Sequence, residues 1–189
     1  ITPQFPTPYF WFLAGTGTWF MAMGMQGVLF SWLVVGVLRA EAQWVGITQS
    51  TMMLPSVLLT LLGGAIADRY DNRLLLVILH VSSGFLSLGL LTIVTTGHLS
   101  MGSLLIYAAC MGTVQAFVMP ARDAQLSQVA GANMLRAVTG MTMTQWSMQV
   151  LGSLAAASAR WFGTIPTLGA QSLILFAGVW PAPRLPQTS

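Results

Sequence analysis

Stretches without a single charged side chain alternate with short charged punctuation along this 189-residue chain. Residues 1–38, 42–67, 74–121, 137–159 and 161–183 hold no Asp, Glu, Lys or Arg. A helix that crosses about 30 Å of hydrocarbon needs roughly 20 mostly apolar residues. Four of the windows therefore fit one span each, and the window 74–121 fits two, divided at the polar turn Gly97-His98-Leu99-Ser100. The pattern predicts an all-α polytopic membrane protein with six transmembrane helices over 9–37, 43–67, 73–96, 101–121, 137–159 and 164–181. They form one domain over 1–186, with a tail at 187–189. Backbone groups in lipid must bond within their own segment, which favours helices, and the alternation expected of a barrel strand is missing.

Composition agrees. The chain is 55% hydrophobic and 6% charged, against roughly 25% charged for a soluble domain, so it lacks the charge to cover a water-facing surface. All seven cations are arginines: Arg39, Arg69, Arg73, Arg122, Arg136, Arg160 and Arg184. The acids are Glu41, Asp68, Asp71 and Asp123, which leaves a net charge of +3. No basic stripe is present, so nucleic acid is not an expected partner. Placing both termini in the cytoplasm puts Arg69, Arg73, Arg122, Arg136 and Arg184 inside and only Arg39 and Arg160 outside, which is the favoured bias. Tyr9, Trp11, Trp44, Trp161 and Trp180 fall near predicted helix ends, where amphipathic rings anchor. Cys110 is the only cysteine and is read as a small packing residue. No cleavable signal peptide is expected, and a chain starting at Ile1 leaves room for residues upstream.

The segment 122–136 is the longest polar stretch, and two readings stand open for it: a solvated loop, or a short helix at the membrane surface. Small residues four apart, such as Ala108, Gly112 and Ala116, or Gly152 and Ala156, let helix backbones approach closely. Pro55 removes one backbone donor and is expected to bend the second helix.

One motif carries a resemblance. Gly64-Ala65-Ile66-Ala67-Asp68-Arg69-Tyr70-Asp71-Asn72-Arg73 joins the second and third predicted helices. It resembles the signature loop of the major facilitator superfamily, Gly-x-Leu-Ala-Asp-Arg-x-Gly-Arg-Arg/Lys, at Gly64, Ala67, Asp68, Arg69 and Arg73. Asp71 replaces the usual glycine, as in the enterobactin-exporter-like branch, and Asn72 replaces an arginine. Pro120 to Leu126, followed by Leu135-Arg136-Ala137, is similar to that branch after its fourth helix. The resemblance implies the N-terminal bundle of a transporter, built from two inverted three-helix repeats, which works by alternating access against a second six-helix half. It implies export of a small organic molecule, such as a siderophore or drug, across the bacterial inner membrane, with the lipid bilayer and that molecule as partners. It also implies a cytoplasmic latch formed by Gly64, Asp68, Arg69, Asp71 and Arg73, with Arg122 and Asp123 at the end of the fourth helix. For the loop carboxylate, the residues alone place Asp68 at the end of one helix and just before another, where a nearby helix N-terminus favours it, and leave Arg69 and Arg73 to pair with Asp68, Asp71 or lipid phosphates.

Proton coupling normally uses an ionisable group inside the membrane. No acid lies within a predicted span, and Leu104-Leu105-Ile106-Tyr107 lacks the arginine that drug/proton exporters carry there. Neutral polar residues remain as candidates for a substrate cavity: Gln26, Gln115, and Thr142, Gln145 and Gln149 on one face of the fifth helix. The competing role for them is hydrogen bonding between helices. Met21, Met23 and Met25 do not share one helix face, which disfavours a copper site. His80 is read as a packed or cavity-facing neutral imidazole, not a metal ligand. No catalytic, metal-binding or phosphate-binding motif occurs, so no enzyme activity and no cofactor are expected. A fragment of a twelve-helix protein, a half that dimerises, and a non-transporting interaction subunit or truncated relic are the alternatives for a six-helix chain.

Overall fold

The computed structural model describes residues 7–130, 133–157, 163–181 and Leu185. Arg160, Trp161, Arg184 and Pro186, and residues 158–159 of the fifth predicted span, lie outside the described residues. Among those described, the chain forms six α-helices and no strand: α1 (Thr7–Ser31), α2 (Gln43–Ala67), α3 (Asn72–Thr95), α4 (Met101–Ala130), α5 (Met134–Ala157) and α6 (Thr164–Ala177). A π-helical stretch, Trp32–Val37, continues α1.

Four helices are long and apolar enough to cross a membrane: Thr7–Val37, α2, α3 and α4. α5 is also long, at 24 residues, but carries a polar face of Thr, Gln and Ser. α6 is apolar but has 14 residues, a length of about 21 Å.

From Arg122 to Ala130 the segment is neither a loop nor a separate surface helix. α4 runs through Pro120 and the charged pair to Ala130, past the predicted end at residue 121. Pro120 removes a single N–H, and a hidden apolar stripe continues beyond it. Leu126, Val129 and Ala130 lie within two turns on one face, and they pack with Tyr9, Phe12, Ala137 and Met141. Burial of that stripe outweighs the polar residues between its members.

α1 packs along α5, α2 along α4, α3 against α4 and α6, and α6 against α1. Exchanging α1 with α4, α2 with α5 and α3 with α6 maps this contact scheme onto itself. The two long crossings depend on glycine, because helices in an apolar solvent associate by close packing and not by hydrophobic burial. A Cβ on Gly24 or Gly152 would collide with the backbone carbonyl of Gln149 or Met21, at the α1–α5 crossing. A Cβ on Gly112 or Gly63 would collide with the carbonyl of Met52 or Ala116, at the α2–α4 crossing. The Ala116 carbonyl is the one that Pro120 cannot serve as an i→i−4 donor, so α2 leans on a carbonyl its own helix leaves open.

Exposed apolar side chains concentrate on α2, with Met53, Leu54, Val57, Leu58, Leu61 and Leu62, and on α5, with Met143, Trp146, Val150, Leu151 and Leu154.

Candidate functional site

The motif forms the tight connection between α2 and α3. Its geometry gives the helix N-terminus to Asp71 and the preceding helix end to Asp68. Asp68 is the residue after the last turn of α2, its N–H bonded to the Gly64 carbonyl at 3.0 Å. That is a helix C-terminus, where a carboxylate gains nothing from the helix dipole. Asp71 is the N-cap of α3: it adopts an extended backbone, and its Oδ1 accepts from the Arg73 N–H at 2.9 Å. An Asp at this position therefore starts the third helix. Asp68, Arg69 and Tyr70 are exposed, while Asp71 and Arg73 are half-buried. Among the described residues, neither Arg69 nor Arg73 is ion-paired with Asp68 or Asp71. Among the described residues the one ion pair is Arg122 with Asp123.

The extension of α4 gives the motif a second wall. Ala124, Ser127 and Gln128 face Asp68, Arg69, Asp71 and Asn72 across a polar cleft of about 340 Å³. Asn72 is 3% exposed, and its side-chain oxygen has no hydrogen-bond partner among the described residues. Ser127 and Gln128 escaped sequence reasoning because they lie beyond the presumed end of the helix.

Arg122 is held inside the bundle. Its Nε and Nη2 both donate to Asp123 Oδ1, at 3.1 and 2.8 Å, and its guanidinium lies 5.1 Å over the Phe20 ring. The two residues belong to the body of α4, not to its end.

The neutral polar candidates do not form one group. Gln26 is 2% exposed, and its amide is committed inside the bundle. Its Oε1 accepts from Gln171 Nε2 at 3.1 Å and from the Tyr107 hydroxyl at 3.3 Å, and its Nε2 lies 3.3 Å from Met52 Sδ. The Tyr107 hydroxyl lies 3.2 Å from Ser87 Oγ. These five residues come from α1, α2, α3, α4 and α6, and buried polar groups in such surroundings keep their partners because an unpaired one is costly. Gln171, Tyr107 and Ser87 carried the same signal as Gln26: a polar group inside an uncharged apolar window.

Gln115, Gln145 and Gln149 are half-buried and Thr142 is exposed. No described hydrogen bond joins their side chains to the Gln26 cluster. The α5 face divides along its length: Gly152 presses on α1, and Thr142 points away from the bundle.

Three buried side chains border a small cavity between α1, α3 and α4: Trp19, His80 and Arg122. Among the described residues no cluster of three or more His, Cys, Asp or Glu has metal-binding geometry.

A family model described as transmembrane secretion effector matches residues 10–183. The staphyloferrin A transporter of Staphylococcus aureus is 32% identical over 129 residues, a stretch that covers 66% of this chain and 31% of that relative's own length. No solved structure matches the chain.

Proposed function

The chain belongs to the transmembrane secretion effector family of the major facilitator superfamily, and from that membership we propose that it forms one six-helix half of a secondary transporter exporting a small organic molecule. The observation that carries this reading is the exchange-symmetric packing of α1–α5 with α2–α4. Such packing is what two inverted three-helix repeats produce. In this reading α5 and α6 span the bilayer with the four more apolar helices. Both termini face the cytoplasm of a bacterial cell, and the motif loop lies at the inner surface of its plasma membrane.

The exposed apolar faces of α2 and α5 meet a second six-helix bundle, from the same gene product or another copy. Thr142, Gln145, Gln149 and Gln115 line the cavity between the halves, where neutral amides suit an uncharged or amphipathic substrate. Gln26 braces the bundle behind that wall. The cleft around Asp68, Arg69, Asp71 and Arg73, backed by Ser127 and Gln128, holds the cytoplasmic side closed in one conformation. Staphyloferrin A, the molecule named for the relative, makes a siderophore the first substrate to try. The chemistry asked of the protein is binding and rocking, with no bond made or broken.

The test is efflux from bacterial cells producing the intact gene product that contains this chain, with staphyloferrin A and a panel of amphipathic drugs. Efflux above the empty-vector level is expected for at least one compound. Gln145→Ala and Gln149→Ala should change the substrate range, and Asp68→Asn should stop efflux at unchanged membrane abundance. A folded, membrane-inserted protein that moves none of the panel would overturn the proposal.

A further inference from the structure

We propose that His80 is a proton-binding site of the bundle, loaded through the cavity it shares with Trp19 and Arg122. His80 sits about 12 Å into α3 from its first residue, at 5% exposure, in a helix otherwise free of ionisable groups beyond its first turn. Ionisable groups at such depth are rare because they are expensive, and those that persist generally serve ion or proton movement.

The ring is held, not loosely packed. Nδ1 lies 2.8 Å from the Leu76 carbonyl, which only accepts, so this nitrogen carries a proton. Trp19 meets the ring edge-on at 5.3 Å. The Gly15 carbonyl of α1 lies beside it, and Gly178 leaves the space the ring occupies, because a Cβ there would collide with it. Nε2 has no hydrogen-bond partner among the described residues, and neither do Trp19 Nε1 and Arg122 Nη1.

All three residues border the same cavity of about 30 Å³, which is room for a water molecule. Trp19 and Arg122 can only donate, while Nε2 of the neutral ring can only accept. In the closed structure these three atoms are shielded from water; in the hydrated, open cavity one water accepts from the two donors and gives its own hydrogen to Nε2. The same water is the last carrier of an incoming proton: it passes a proton to the Nε2 lone pair and is replenished from solvent. Solvent is near, because Asp123, ion-paired to Arg122, is 60% exposed. Arg122 does not carry the proton; it positions the water and sets the field.

The groups facing His80 are few. Among the described lining residues α1 and the end of α6 bring no ionisable side chain, and α4 brings Arg122, partly neutralised by Asp123. A protonated ring adds a second positive charge beside that arginine in a space of one water. Such a state favours a hydrated, open cavity over the closed one. The inference rests on the transporter reading for its consequence, which is coupling of proton uptake to the rocking of the bundle.

The experiment is NMR of the ring nitrogens in the full chain labelled with ¹⁵N-histidine and held in lipid nanodiscs. His98, exposed in the α3–α4 turn, is the internal reference, and His80→Gln assigns the signals. His80 is expected to titrate reversibly, and Arg122→Gln is expected to move the transition because the neighbouring charge is gone. Ring signals of His80 that stay flat across the pH series would overturn the proposal, and so would a transition indifferent to Arg122→Gln. The titration needs no transport. Efflux with a silent His80 therefore removes this inference alone, while a titrating His80 without efflux supports it and removes only the transporter reading.

Discussion

Gly112→Ala is the sharpest probe of how the bundle holds together. A Cβ built on Gly112 collides with the Met52 carbonyl oxygen and reaches 2.8 Å from its carbonyl carbon and 3.2 Å from Cα. Carbon atoms in ordinary contact sit about 3.5–4.0 Å apart. All three obstructing atoms are backbone, so no rotamer change relieves the clash, and α2 must move away from α4 by on the order of 1 Å. A gap of that size removes roughly a quarter to a half of the dispersion energy along the seam. Overpacking of this kind destabilises by about 1–3 kcal/mol, a 5- to 150-fold fall in the folded-to-unfolded ratio. The better helix propensity of Ala opposes this by at most about 1 kcal/mol. Gly27 supplies the control, since a Cβ there meets nothing within 4 Å, so Gly27→Ala should be neutral or slightly stabilising. The assay is SDS titration of the purified chain in mild detergent, followed by far-UV ellipticity. Gly112→Ala should unfold at clearly lower SDS than the parent. Equal midpoints for the two variants would refute the argument that close backbone approach holds the α2–α4 pair.

The other predictions concern polar groups. Asp71→Ala should remove the α3 cap and lower stability by about 1 kcal/mol in the same titration, whereas Asp71→Ser should retain most of it. Gln26→Ala strips the acceptor from both Gln171 and Tyr107 and should cost about 1–3 kcal/mol, leaving substrate range in the efflux assay unchanged. Gln145→Ala should do the reverse, shifting range with little loss of stability. Arg122→Lys keeps the charge but loses the two bonds to Asp123 and the broad stacking face on Phe20, so the α4 extension should show faster amide exchange at Leu126 and Val129.

The helices were legible because lipid imposes a crude rule. Uncharged windows long enough to cross it become helices, and α2 occupies Gln43–Ala67, the predicted window. The end of α4 was not legible by that rule. Arg122 and Asp123 look like a surface turn when read singly, but their mutual pairing and the Phe20 ring let the arginine stay inside, and the stripe at Leu126, Val129 and Ala130 was obscured by polar neighbours. The loop motif was visible from residue identity, yet which aspartate caps the helix depends on where α3 starts, to within a residue. For Gln26, spacing along α1 says that a polar group lies within the helix. It does not say whether the group faces the cavity or Gln171, which lies 145 residues away.

The swapped pairing has a consequence for biosynthesis. Each tight crossing joins a helix from the first three to one from the last three, as Ser153 does when its hydroxyl donates to the Gly24 carbonyl across 129 residues. At roughly 5–20 residues per second of translation, α1 waits about 6–26 s for the helix that covers its glycine seam. During that interval its backbone groove lies open to lipid and to other nascent chains, so a paused ribosome before α5 would yield an intermediate vulnerable to capture or degradation by membrane quality control.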